Sequence, residues 1–166
     1  MAPARPLTAF VGSILFTVFV EATVALYLPL VMVRDEAVAP WWPLGALVTL
    51  AGVALYLWCA GLFSFVGRGT PAPIAAPNVF VARGPYRYVR NPMYIGVLTS
   101  IVGIAIAYAS PWVLAYAALV AIAFHFFVLG YEEPTLDERF GHSYEEYRRT
   151  VPRWIPRMKT ASRMSG

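Results

Sequence analysis

The chain has 166 residues, of which 59% are hydrophobic and only 13% are charged, and its formal net charge is +4. A soluble domain of this size needs far more charge on its surface, so the composition excludes an ordinary soluble globular protein. Apolar windows about 20 residues long indicate a polytopic membrane protein, and together they suit one domain over residues 1–166. The net positive charge does not indicate a nucleic-acid partner. The arginines flank apolar spans, where membrane topology and anionic lipid headgroups account for them.

Four apolar runs predict four transmembrane helices. They cover about residues 7–33, 44–66, 92–109 and 112–131, lengths close to those of membrane-spanning helices. Only Ser110-Pro111 separates the last two runs, which predicts a tight turn and an antiparallel helical hairpin. The polar remainder, residues 132–166, has aromatic residues at helix-like spacing, and we expect an interfacial helix folded back on the bundle. The predicted fold class is therefore all-α integral membrane, with about four transmembrane helices and a C-terminal interfacial helix.

The distribution of basic residues predicts the orientation in the membrane. Every Lys and Arg except Arg34 lies in the N-terminal tail, in the loop between the second and third runs, or in the C-terminal tail. With four spans these three segments share one side, and the positive-inside rule makes that side cytoplasmic. Both termini are therefore expected at the cytoplasmic face. The polar residues just before the third run and just after the fourth run are expected at the same face.

Residues 81–96, the arginine–tyrosine stretch, combine three arginines and three tyrosines beside a long apolar run. The six residues are Arg83, Tyr86, Arg87, Tyr88, Arg90 and Tyr94. Arginines at the start of a helix suit a carboxylate or a phosphate, which the helix N-terminus also attracts. Tyrosines can wall a flat base or face a cation. The stretch therefore predicts an anionic ligand with an aromatic part.

Glu132 and Glu133 follow the fourth apolar run and complement the arginine–tyrosine stretch. Paired carboxylates can accept hydrogen bonds from an ammonium or a ribose diol, but they repel each other unless donors or a cation lie between them. The two clusters together suit a ligand with a carboxylate, an ammonium, a diol, a purine and a positive centre. S-adenosylmethionine has all five, whereas a phospholipid headgroup has only some of them.

Two isolated residues, Glu21 and His125, each have a structural and a functional interpretation. Glu21 lies mid-span, where a carboxylate is costly; it either meets a substrate headgroup or pairs with a hydroxyl such as that of Tyr56. His125 is more typical of a hydrogen-bonded packing residue than of a ligand. Cys59 is the only cysteine, and no second His or Cys stands at metal spacing from His125, so we predict no metal site.

Four ordered motifs carry a resemblance to a known family. They are Gly84-Pro85-Tyr86-Arg87-Tyr88-Val89-Arg90-Asn91-Pro92-Met93-Tyr94-Ile95-Gly96, Glu132-Glu133-Pro134-Thr135-Leu136, Phe140-Gly141-X-X-Tyr144-X-X-Tyr147 and Val151-Pro152-Arg153. In this order they resemble the isoprenylcysteine carboxyl methyltransferase family, whose wider group includes phospholipid N-methyltransferases. The resemblance is strongest over residues 78–157. It implies an integral membrane enzyme that uses S-adenosylmethionine near the cytoplasmic face.

The resemblance also implies site residues. By position, the cofactor contacts fall on Asn78, Val79, Phe80, Val81, Tyr86, Asn91, Pro92, Met93, Tyr94 and Glu132. To these we add Arg90 for its charge, Glu133 as a candidate proton acceptor for an amine substrate, and Arg153, which can turn back toward the site. Two positions depart from the family pattern: Asn91 replaces a histidine, and Val128 replaces an arginine that is thought to meet a prenylcysteine carboxylate. The resemblance therefore implies the cofactor and leaves the substrate open.

Our interpretation is a methyltransferase that acts on a lipophilic acceptor, a carboxylate, an amine or a thiol, reached from within the bilayer. Its expected partners are membrane lipids and a lipid-like substrate. A non-catalytic lipid-binding or assembly subunit of the same fold is the alternative, and Asn91 and Val128 are the features in its favour. A reductase is a third reading, because sterol reductases share a similar C-terminal pattern, but they are longer than this chain.

Overall fold

A computed structural model describes residues 19–65 and 82–156, and these are helical throughout their regular parts, with no strand. The elements in chain order are a π-helical segment Val20–Tyr27, α1 Leu28–Met32, α2 Trp42–Phe65, a 3₁₀ turn Gly84–Arg87, α3 Pro92–Tyr108, α4 Pro111–Phe127, a second π-helical segment Val128–Glu132, α5 Glu133–Phe140 and α6 His142–Thr150. The all-α part of the predicted fold is confirmed.

In the part of the chain that the structure describes, two helices are long and apolar enough to cross a membrane by length and composition. They are Trp42–Leu62 and Pro111–Phe140, whereas Glu21–Met32 and Pro92–Tyr108 are shorter apolar helices. Large apolar side chains point away from the protein interior along both long helices; examples are Leu47, Leu50, Trp58, Leu119 and Phe126. Such a surface needs an apolar surrounding, since monomeric soluble proteins rarely expose large contiguous apolar patches. The count of four spans remains a prediction.

Helices α2 and α3 pack with their backbones in close contact along a row of glycines. A Cβ atom built on Gly103 would lie 2.3 Å from the Thr49 hydroxyl oxygen and 2.4 Å from the Thr49 backbone nitrogen. A Cβ atom on Gly45 would lie 2.4 Å from the backbone nitrogen of Ala107. Only a residue without a side chain fits at these distances, which is how small residues let apolar helices approach. We call this contact the glycine seam; it holds α3, and the site residues at its start, in a fixed place.

Two residues, Ala109 and Ser110, join α3 to α4. Ala109 adopts a left-handed conformation with φ 50°, and its N–H donates to carbonyls of the last turn of α3. Ser110 is extended, as the residue before a proline prefers, and Pro111 begins α4, where its missing N–H costs no helical hydrogen bond. The boundaries follow from the Ser-Pro pair. That this helix pair crosses a membrane as a hairpin remains a prediction.

The C-terminal region differs from the single interfacial helix that the sequence predicts. Helix α4 continues without interruption through the second π-helical segment into α5, and the helix ends only at Gly141, whose φ is 49°. Pro134 would clash with the carbonyl four residues earlier in a regular α-helix, and a π-helical turn is a known way to relieve such a clash. The polar region is therefore two short helices, α5 and α6, with a turn at Gly141.

The first helix is tied to α3 and α4 by hydrogen bonds within the bundle. The Tyr116 hydroxyl donates to the Val24 carbonyl over 3.0 Å. The Ser100 hydroxyl lies 3.0 Å from Glu21 Oε1, and Glu21 is buried. The hydroxyl that meets Glu21 is thus that of Ser100, not that of Tyr56 as the sequence suggested. The structural interpretation of Glu21 as a hydroxyl-paired carboxyl fits this contact.

Candidate functional site

The arginine–tyrosine stretch enters α3 through a short turn that fixes its polar residues. Gly84 begins the 3₁₀ turn with φ 57°, and a Cβ atom there would lie 2.8 Å from a methyl group of Leu62. Pro92 then begins α3, with buried Asn91 as the residue before it. The Asn91 side chain does not cap the helix; its Nδ2 donates to the Arg153 carbonyl over 3.3 Å. A glycine turn and a proline start therefore place Asn91 against the C-terminal end of the described chain.

Glu133 lies between two arginines, an arrangement that we call the Arg–Glu–Arg cluster (Arg90, Glu133 and Arg153). Arg90 Nη1 donates to Glu133 Oε1 over 2.8 Å, and Arg153 donates through Nε to Oε1 over 2.7 Å and through Nη2 to Oε2 over 2.9 Å. The side chains of Arg90 and Glu133 are 11% and 10% exposed, and that of Arg153 is 28% exposed. Two guanidinium groups against one carboxylate give the cluster one excess positive charge. The hydrogen bonds to Glu133 raise the pKa of Arg153, which keeps it charged.

Glu132 turns to a different partner from its neighbour. Its Oε2 accepts a hydrogen bond of 2.8 Å from the Tyr94 hydroxyl. The Tyr94 ring packs against Phe124, with ring centroids 4.5 Å apart, and lies 6.4 Å from the Trp154 ring. The two adjacent glutamates are therefore separated in their partners, one on arginines and one on a tyrosine. Each carboxylate thus has its own donors, which offset part of the repulsion that their adjacency in the sequence implies.

Tyr86 and Tyr147 connect the 3₁₀ turn to α6. The Tyr147 hydroxyl donates to the Tyr86 carbonyl over 2.6 Å, and the Tyr86 side chain is buried in the core. Burial raises the pKa of both phenols, because an ionised phenolate is costly away from water. Both tyrosines therefore stay protonated at neutral pH, so they serve as donors or packing groups and not as bases.

Residues 151–156, the C-terminal segment, lie across the site in irregular conformation. The Arg90 backbone N–H donates to the Pro152 carbonyl over 2.9 Å, and Trp154 Nε1 donates to His125 Nδ1 over 3.2 Å. His125 is hydrogen-bonded and half-buried, as its packing interpretation expects. The Trp154 ring also contacts the rings of Tyr94 and His125. No sequence signal links residues 125 and 154, because their contact depends on the return of the chain after α6.

The structure sorts the predicted site residues into three groups. It brings together Arg90, Asn91, Tyr94, Glu132, Glu133 and Arg153. It buries Tyr86, Pro92 and Met93 next to that group in the chain. Arg83, Arg87 and Tyr88 are exposed and outside the cluster. Asn78, Val79, Phe80 and Val81 lie outside the described residues. Within residues 19–65 and 82–156, no group of three His, Cys, Asp or Glu side chains is placed to hold a metal ion.

Comparison with known proteins identifies the family of the chain. The model of a family described as phospholipid methyltransferase matches residues 43–143, which is well over half of the chain. The chain is also 33% identical over 78 residues to Protein-S-isoprenylcysteine O-methyltransferase B of Arabidopsis thaliana. That alignment covers 46% of this chain and 39% of the relative, so the chain spans well under half of the relative's length. The resemblance stated from the motifs is confirmed, and the chain belongs to the phospholipid methyltransferase family.

Proposed function

We propose that this protein transfers a methyl group from S-adenosylmethionine to a lipophilic acceptor at the cytoplasmic face of a membrane. Family membership supports methyl transfer to a lipid-like substrate. One observation supports the cofactor and the site of transfer. The Arg–Glu–Arg cluster and the Tyr94–Glu132 pair lie next to each other, at the start of α3 and at the junction between α4 and α5. Guanidinium donors, a carboxylate and aromatic rings are gathered there from four parts of the chain. The proposal includes four membrane spans with both termini cytoplasmic, supported by the distribution of Lys and Arg.

The residues of the site fit the chemistry of this cofactor. Arg90 Nε is buried and has no hydrogen-bond partner among the described residues, so it is a donor in need of an acceptor. The excess positive charge of the cluster favours a carboxylate at the same place. Glu132 can accept from an ammonium or a ribose diol, and Tyr94, Phe124 and Trp154 supply apolar surface. Asn78–Val81, Tyr86 and Asn91–Met93 complete the proposed contacts through the family resemblance.

S-adenosylmethionine supplies a sulfonium methyl group when it is bound, and the protein then needs mainly to align two reactants and exclude water. Such alignment is worth roughly 7–11 kcal/mol of a reaction barrier. The buried start of α3 and the ring cluster around Tyr94 provide a fixed wall for this purpose. The glycine seam supports that wall from behind, because it fixes α3 against α2.

Glu133 is better suited to positioning than to proton transfer. Both of its carboxylate oxygens accept hydrogen bonds from guanidinium groups. A substrate proton would therefore have to compete with these guanidinium groups for the same oxygens. We therefore propose that Glu133 and Arg153 hold the geometry of the site. A carboxylate or thiolate acceptor would need no base, whereas an amine acceptor would have to lose its proton elsewhere.

The acceptor is expected to approach from the bilayer, along the exposed apolar surface of α4. Phe126 of α4 and Leu129 of the second π-helical segment are both exposed, within two turns of Glu132. Val128 is fully buried one turn before Glu132, so no charge stands where the resembling prenylcysteine enzymes have an arginine. This supports an acceptor that does not depend on a cation at that position.

Calorimetry of the detergent-solubilised protein with S-adenosylhomocysteine tests the proposal. We expect binding that Glu132→Ala weakens by at least about tenfold, the size of one lost charge-assisted hydrogen bond. Glu138→Ala is the matched control, because Glu138 is exposed on α5 and has the same charge. Absence of binding at millimolar ligand would remove the methyltransferase proposal. Equal losses in the two variants would remove Glu132 from the cofactor site.

A second candidate, a non-catalytic lipid-binding subunit, is favoured by one observation. Both carboxylate oxygens of Glu133 are bonded to Arg90 and Arg153 without a ligand, as they would be in a purely structural cluster. Transfer of labelled methyl groups from S-adenosylmethionine to lipid extracts separates the two functions. Label in a lipid fraction supports the enzyme and its analysis identifies the acceptor class, whereas cofactor binding without transfer supports the subunit.

A further inference from the structure

The C-terminal segment makes most of its contacts with distant parts of the chain. Within three consecutive residues, the carbonyl of Pro152 accepts from Arg90, the side chain of Arg153 binds Glu133, and the indole of Trp154 donates to His125. The Arg153 carbonyl in addition accepts from Asn91. An irregular segment at a chain end normally frays unless such contacts hold it. These contacts are what places Arg153 in the site.

Arg153 and Trp154 contact two points of one continuous helix. Glu133 and His125 are eight residues apart on it, about 12 Å at the usual helical rise. The contacts of Arg153 and Trp154 therefore hold the segment at both ends of this interval. Loss of the Trp154 contact would leave the segment held by the hydrogen bonds of Pro152 and Arg153. The Trp154 ring also borders Tyr94, the partner of Glu132.

We propose that Trp154 and His125 are a positioning pair. Their hydrogen bond holds the C-terminal segment in place and thereby positions the side chains of Arg153 and Tyr94 for cofactor binding. This inference rests on the proposed function. His125 Nδ1 is the acceptor of the Trp154 indole N–H, so the neutral imidazole carries its own proton on Nε2. Neither residue needs to touch a reacting group. Their effect passes through the segment to the Arg–Glu–Arg cluster.

Hydrogen exchange at the Arg90 amide shows directly whether the C-terminal segment is held in place. The Arg90 N–H is bonded to the Pro152 carbonyl, whereas the nearby Tyr88 N–H is bonded locally to the Pro85 carbonyl. Hydrogen exchange of the full-length protein in detergent should therefore separate the two amides. We expect Trp154→Phe, which keeps a ring but loses the N–H, to speed exchange at Arg90 roughly threefold to tenfold and to leave Tyr88 unchanged.

His125→Leu should have the same effect, because it removes the acceptor. His125→Gln should restore slow exchange at Arg90, since the amide oxygen can accept the indole N–H. Trp112→Phe and His142→Leu are the matched controls; both residues are exposed and away from the segment, and neither substitution should change exchange at Arg90. Unchanged exchange at Arg90 in Trp154→Phe and His125→Leu would overturn the proposal, as would an equal rise at Tyr88.

Cofactor binding supplies the second readout. Trp154→Phe and His125→Leu should weaken S-adenosylhomocysteine binding by a similar factor with little change in the unfolding midpoint, and His125→Gln should rescue it. A purely structural role would lower the midpoint and leave the affinity of the folded protein intact. If the unsubstituted protein binds no S-adenosylhomocysteine, the proposed function fails, and the exchange experiment still decides whether the pair seats the segment.

Discussion

The glycine seam and the Arg–Glu–Arg cluster hold the same helix, α3, by opposite means. The seam uses backbone contact between α2 and α3, with no room for a side chain at Gly45 or Gly103. The cluster uses charged side chains from residues 90, 133 and 153, with hydrogen bonds of 2.7–2.9 Å. The glycines of the seam have no side chains that could bind a ligand, but their close backbone contact is rigid. The cluster has donors and an excess charge, and it depends on the seam for a fixed base.

The largest expected effect is at the seam. Gly103→Val should lower the free energy of unfolding by about 3 kcal/mol or more, because its Cβ would overlap the Thr49 backbone and no rotamer can relieve that overlap. Gly61→Val is the control, since a Cβ at Gly61 has no heavy atom within 4 Å. Denaturant unfolding in detergent measures both variants. Equal stability of the two would mean that α2 and α3 do not pack as closely as described.

A smaller loss is expected in the cluster. Glu133→Gln keeps the size of the side chain but removes the charge between two guanidinium groups, which should destabilise the protein by about 2 kcal/mol. It should also weaken S-adenosylhomocysteine binding, because Arg90 and Arg153 would repel each other. Glu145→Gln, which removes the carboxylate of an exposed ion pair with Arg149, should cost about 0.5 kcal/mol or less. A Glu133→Gln variant with normal affinity would show that the cluster is structural only.

The smallest expected effect is at the exposed arginines outside the cluster, and it tests where the candidate site ends. Arg83→Ala and Arg87→Ala remove exposed arginines of the same stretch and should change stability by less than about 0.5 kcal/mol. Their S-adenosylhomocysteine affinity should equal that of the unsubstituted protein, whereas Arg90→Ala should lose it. The comparison is made by calorimetry on the three variants. A loss of affinity in Arg83→Ala would extend the site beyond the cluster.

The helices and their boundaries could be read from the sequence with small errors. The apolar runs at about residues 44–66 and 92–109 correspond to α2 Trp42–Phe65 and α3 Pro92–Tyr108. The Ser110-Pro111 pair predicted the junction between α3 and α4, because proline restricts its own backbone conformation and that of the residue before it. The single C-terminal helix was wrong in its form. Gly141 divides it, and a glycine in a polar helical pattern is a weaker signal than a proline.

The sequence by itself determined the helices, the family and the two polar clusters that we propose as the cofactor site. Apolar composition, proline positions and motif order are local properties, and they act before the chain folds. Only the tertiary structure decided which arginines enter the candidate site, that Glu133 is held by two of them, and that Trp154 contacts His125. Those choices depend on the return of the chain through the turn at Gly141 and α6. Contacts between residues 90, 125, 133 and 154 leave no local pattern, because their energy arises only when distant segments are brought together.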